Sequence, residues 1–178
     1  PDVVEFTVPA AEGNPPAPAD AQVIREWSVS PAFVPGAADA PTVPPERVTG
    51  EFRRIPSEPS GLVQLHRHLK IPEGSRSWAT VARVSVQSDT DATVPLDLGF
   101  SDIASVFVNG VPVFRGDASY SFDRPRREGL IGFDQATVFL PLRRGDNVVA
   151  IMIADSFGGW GLMGRLIGRP EMIRLTAR

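Results

Sequence analysis

His66 and His68 stand two residues apart in Leu-Val-Gln-Leu-His-Arg-His-Leu-Lys-Ile (62–71), and the chain has no other histidine. On a strand, side chains two apart share a face, so both imidazoles could reach one metal ion, with carboxylates or water completing the set. The competing reading is two polar side chains on a solvated face. Calcium would need several oxygen donors together. Asp89, Asp91, Asp97 and Asp102 lie in a polar turn or near strand ends, where Asp also bonds nearby backbone amides. They form no recognisable calcium loop, so no cofactor is assigned and calcium stays an alternative. The third group is aromatic and cationic. Trp160 is flanked by glycines in Phe-Gly-Gly-Trp-Gly (157–161), with Asp155 just ahead of it. Tyr120, Arg126 and Arg127 lie in the long segment 115–134. An aromatic face suits the apolar side of a sugar ring, and Asp or Arg side chains suit its hydroxyls. Tyr120, Arg126, Arg127, Asp155 and Trp160 are therefore the candidate ligand-binding residues. The competing reading has Trp160 capping the core while its glycines fix the turn.

Other chemistries find less support. Neither Gly-x-Ser-x-Gly nor His-Glu-x-x-His occurs. A lyase could draw on His66, His68, Tyr120 and Arg67, and a hydrolase on paired carboxylates, but nothing in the sequence fixes their mutual positions. With zero cysteines the chain has no disulfide, thiolate metal site or cysteine nucleophile. Net charge is −3 and the basic residues form no long stripe, which argues against a nucleic-acid partner. No apolar run is long enough to span a bilayer. Arg-Gly-Asp occurs at 115–117 and 144–146, and both copies are expected at turns.

Eighteen prolines and sixteen glycines in 178 residues point away from long helices. Short runs with period two, separated by turn residues, predict an all-β sandwich or barrel. Residues 1–21 read as a Pro/Ala-rich lead, a linker or an edge strand, and 22–178 as a single β-sandwich domain. The opening Pro1-Asp2, without Met or signal peptide, suggests a processed or trimmed chain or a piece of a longer one. Trp27 and Phe33 are expected core aromatics, and Leu62–Ile71 a strand with Val63, Leu65, Arg67 and Leu69 on one face. Further strands are expected at Glu51–Ile55, Ala79–Val86, Val94–Phe100, Ala104–Val108, Val111–Phe114, Ala136–Leu142, Val148–Ala154, Leu162–Leu166 and Met172–Thr176. Asn109-Gly110 fits a two-residue hairpin turn. Residues 115–134 form the longest insertion between strands, where a ligand site is first sought.

Leu-Gly-Phe-Ser-Asp (98–102), Val-Phe-Val-Asn-Gly (106–110), Val-Phe-Leu-Pro-Leu-Arg-Arg-Gly-Asp-Asn-Val-Val (138–149) and Phe-Gly-Gly-Trp-Gly (157–161), in that order, resemble the galactose-binding-domain-like jelly roll. The pattern is similar to sugar-binding-type accessory domains of bacterial glycoside hydrolases and esterases, over about Thr80 to Leu166. The resemblance implies an antiparallel β-sandwich of about eight or nine strands. It implies a non-catalytic module that binds carbohydrate or packs against a catalytic domain, in a secreted or periplasmic setting. A small stand-alone carbohydrate-active enzyme and a purely structural interaction domain are the alternatives, because fold does not choose among them.

Overall fold

The computed structural model describes residues 21–35, 48, 50–119, 130–155, 158–168 and 172–176. They form two antiparallel sheets packed as a sandwich. The five-stranded sheet holds β1 (Ala21–Val23), β4 (Val63–Gln64), β6 (Ala92–Ser101), β9 (Ala136–Leu142) and β11 (Gly161–Ile167). Its main order is β1-β11-β6-β9, with β4 also pairing β11. The seven-stranded sheet holds β2 (Glu26–Val29), β3 (Arg53–Pro56), β5 (Trp78–Ser88), β7 (Ile103–Val108), β8 (Val111–Asp117), β10 (Gly145–Asp155) and β12 (Ile173–Thr176). Its order is β3-β2-β5-β10-β7-β8, with β12 pairing β5.

Period-two alternation builds the core. Val94, Leu96, Leu98 and Phe100 of β6 point inward with Val138, Leu140 and Leu142 of β9. They meet Ala82, Val84 and Val86 of β5, Ala104, Val106 and Val108 of β7, and Val149, Ile151 and Ile153 of β10. Each fully buried Val, Leu or Ile contributes about 1.5–3 kcal/mol relative to exposure. Trp27, expected as core, has no exposed surface. Between β7 and β8, Asn109 and Gly110 take φ of 50° and 80°, the left-handed pair that a tight hairpin of this twist requires.

The seven-stranded sheet is apolar on its outer face as well. Ala79, Val81, Phe107, Ala150, Met152 and Ala154 form a second buried cluster, with Phe33, Val48 and Phe52 packed over it. Phe33 thus belongs to this outer layer rather than to the central core. The Arg83 guanidinium lies 3.3 Å from the centre of the Phe52 ring, and desolvation there lowers its pKa.

Four sequence expectations change. Leu62–Ile71 is not one strand: β4 ends at Gln64, and Leu65–Arg67 make a 3-10 turn. The turn is anchored by Leu65, which is fully buried while its N–H bonds the Trp160 carbonyl at 2.9 Å. The first Arg-Gly-Asp lies in β8, paired to Ile103–Ser105, and is not a turn. The insertion accordingly begins after Asp117, because β8 continues past Phe114. Twelve strands are present among the described residues, more than the eight or nine expected, because short β1, β3, β4 and β12 extend both sheets.

Candidate functional site

One end of the sandwich holds Asp155 and Trp160. Asp155 closes β10 opposite Trp78 of β5 and is 2% exposed. Trp160 is 1% exposed. Its Nε1 donates to the Ile153 carbonyl at 3.2 Å, and its ring meets Trp78 edge-on at 6.4 Å between centroids. Both side chains are therefore enclosed. Asp102, also buried, lies nearby, its N–H donating to the Ala154 carbonyl. Tyr120, Arg126 and Arg127 lie outside the described residues.

His66 and His68 are exposed on the 3-10 turn, so the strand geometry that would aim both at one ion is absent. Among the described residues no three His, Asp or Glu side chains are grouped to hold a metal. The aspartates bond protein groups. Asp89 pairs with Arg174 at 3.3 Å, Asp91 Oδ1 accepts the Arg144 N–H at 2.7 Å, and Asp97 pairs with Arg165 at 2.9 Å.

At the opposite end, three turns border an open hollow of about 520 Å³. Asp91 and Thr93 come from the start of β6, Asn109 and Val111 from the β7–β8 hairpin, and Pro141 and Arg143 from the end of β9. An asparagine clasp fixes two of these turns. Asn147 Nδ2 donates to the Arg143 and Gly145 carbonyls at 2.7 and 3.0 Å. Its Oδ1 accepts from Arg143 N and Asn109 Nδ2, both at 2.9 Å. Asn109 Oδ1 in turn accepts from Val148 N at 2.9 Å. The hollow thus offers Asp91, Asn109, Arg143 and the Thr93 hydroxyl beside apolar Val111 and Pro141, on turns locked by a buried amide.

The outer face of the five-stranded sheet carries a second polar arrangement. Arg165 Nε donates to Asp97 Oδ2 at 2.9 Å, and Thr137 Oγ1 donates to Asp97 Oδ1 at 2.8 Å. The Arg165 guanidinium lies 4.7 Å from the centre of the Phe133 ring. Segment 130–135 folds over this face, held by Gln135, whose side chain accepts from Phe100 N at 2.7 Å and donates to Phe100 O at 3.1 Å. One row away, Phe139 is 62% exposed opposite Pro95. Sequence reasoning passed over Phe139, Phe133 and Arg165. Phe139 was detectable, since the alternation that sends Val138 and Leu140 inward sends Phe139 outward. The Arg165–Asp97 pair joins residues 68 positions apart and has no local signature.

No protein-family model matches the chain, and no curated protein matches it. Solved structures similar to it include a GH2 β-galacturonidase from Eisenbergiella tayi, at 15% identity and a TM-score of 0.46, covering 82% of this chain and 24% of that one. A family 35 carbohydrate-binding module from an environmental isolate is similar at 18% identity and a TM-score of 0.34, over 61% of this chain and 72% of that one. The PA14 sugar-binding domain of an RTX adhesin is similar at 15% identity and a TM-score of 0.34, over 88% of this chain and 70% of that one. The chain thus spans about a quarter of the length of the β-galacturonidase.

Proposed function

We propose that this chain is a carbohydrate-related accessory module, a β-sandwich of the galactose-binding-like jelly-roll type that binds glycan beside a carbohydrate-active catalytic domain. The observation that carries this reading is the open hollow at the turn end. Its size suits a small ligand, and it sets a few hydrogen-bonding side chains against apolar walls, as saccharide recognition requires. Because Trp160 and Asp155 are enclosed, the contact surface in this reading moves from their loop to Asp91, Asn109 and Arg143. These groups suit hydroxyls, with Arg143 and Asn109 donating and Asp91 accepting.

Titration of soluble oligosaccharides into the protein by calorimetry tests this. Wild type is expected to bind with saturation, and Arg143→Ala to weaken binding about tenfold, the value of one lost charge-assisted hydrogen bond. Equal binding by Arg143→Ala would remove the hollow as the site. No binding to any glycan would remove the carbohydrate reading and leave the packing role beside a neighbouring domain.

A further inference from the structure

We propose that the outer face of the five-stranded sheet is a platform for a neutral oligosaccharide, with one sugar ring stacked on Phe139 and a neighbouring unit hydrogen-bonded to Arg165. The proposal rests on the carbohydrate reading above and extends it from the hollow across the sheet.

Phe139 is the one strongly exposed aromatic among the described residues. A single exposed hydrophobe needs no explanation by itself. Its neighbours give it meaning. Strand register places Pro95 directly across from it, widening the apolar plane. In the next row, Thr137, Asp97 and Arg165 lie side by side on β9, β6 and β11.

Arg165 is 8% exposed, and its Nε is taken by Asp97. Among the described residues neither terminal nitrogen of its guanidinium donates a hydrogen bond to the protein. Its side chain keeps 10% of its surface exposed, and neither terminal nitrogen is fully sealed from solvent. A guanidinium this buried ordinarily has its donors satisfied. Asp97 and the Phe133 ring hold the group in place, so ligand binding costs it little further side-chain freedom. Asp97 also balances its charge, so the spare donors call for neutral oxygen acceptors rather than an anion. Hydroxyl oxygens fit.

The spacing favours a chain over a single sugar. Two strand spacings, about 10 Å, separate β9 from β11. The row beyond Phe139 is Thr93 opposite Pro141, and both residues also line the hollow. An extended saccharide can therefore run from the hollow onto the sheet. A protein partner fits less well, because the apolar part is about one ring wide and stable interfaces bury about 800 Å² per partner.

Affinity electrophoresis through gels containing hydroxyethylcellulose, xylan or β-galactan tests the platform, using wild type, Phe139→Ala and Phe139→Trp. The exposed position should leave thermal melting unchanged in both variants. At least one polymer is expected to retard wild type. Phe139→Ala should raise the apparent Kd about tenfold or more, and Phe139→Trp should keep or tighten binding. Retention of wild-type binding by Phe139→Ala would overturn the platform while leaving the carbohydrate reading standing. Failure of wild type to bind any of the three would overturn both.

Discussion

Asn147 is a buried residue whose polar atoms are all used. It is 1% exposed and makes four hydrogen bonds, three to the backbone of its own turn and one to Asn109. Replacing it with Ala strands the Arg143 N–H and frees the hairpin from the turn that faces it. Asn147→Ala is expected to cost about 2–3 kcal/mol, read as a fall in the urea midpoint at unchanged slope. A fall within the range of ordinary surface substitutions would show that water replaces the clasp. At this scale the sequence was partly legible. The Gly-Asp-Asn run announced a turn, but the turn spends Asn147 on a hairpin 38 residues away. Trp160 carried two readings, and the structure places it inside, where its indole N–H has a carbonyl to bond. Arg165 gave no signal, because a lone Arg in an otherwise apolar strand means nothing until β6 brings Asp97 beside it.

At the scale of elements, close approach of backbones decides what β6 tolerates. A Cβ built on Gly99 would stand 2.5 Å from the Gly132 carbonyl oxygen and 2.8 Å from its nitrogen. Backbone yields less readily than a side-chain tip. Gly99→Ala is therefore expected to destabilise by about 1–3 kcal/mol, seen as a lowered Tm, with segment 130–135 displaced from the sheet. A wild-type Tm would mean that this segment is free to lift. The long strands were readable because one face of each is buried and the alternation is clean. Leu62–Ile71 alternates as well, yet pairing stops after two residues. The alternation reports which side chains are buried, and a 3-10 turn can bury Leu65 just as a strand would. Short β1 was hidden for the opposite reason, since three residues are too few to show a period, whereas β3 and β12 overlap the expected strands Glu51–Ile55 and Met172–Thr176.

For the whole molecule, the seven-stranded sheet is covered on both sides. Ile151 and Met152 are adjacent in β10 and both are fully buried, one in the central core and the other in the outer cluster. In a sandwich with a solvated outer face, only the first would matter. Here Ile151→Ala and Met152→Ala are each expected to cost about 2–5 kcal/mol in denaturant unfolding. A Met152→Ala cost below about 0.5 kcal/mol would mean that the layer formed by Phe33, Val48 and Phe52 does not protect it.

The two strands beside β5 have a mechanical consequence. β12 runs antiparallel along Ser88 to Ser85, and β2 takes up the same edge at Arg83 and Ala82. One of the last strands and one of the first therefore lie end to end, as two lengths of a single interrupted rail. Tension applied at Thr176 would peel β12 from β5 pair by pair. It would not load β2, which is held independently by β3 on its other side. Gln22 of β1, whose Nε2 donates to the Ile173 carbonyl at 3.0 Å, ties the far end of β12 to the five-stranded sheet. The sheet would thus yield along that rail in two separate steps, the first opening only the Ser85–Ser88 stretch of β5.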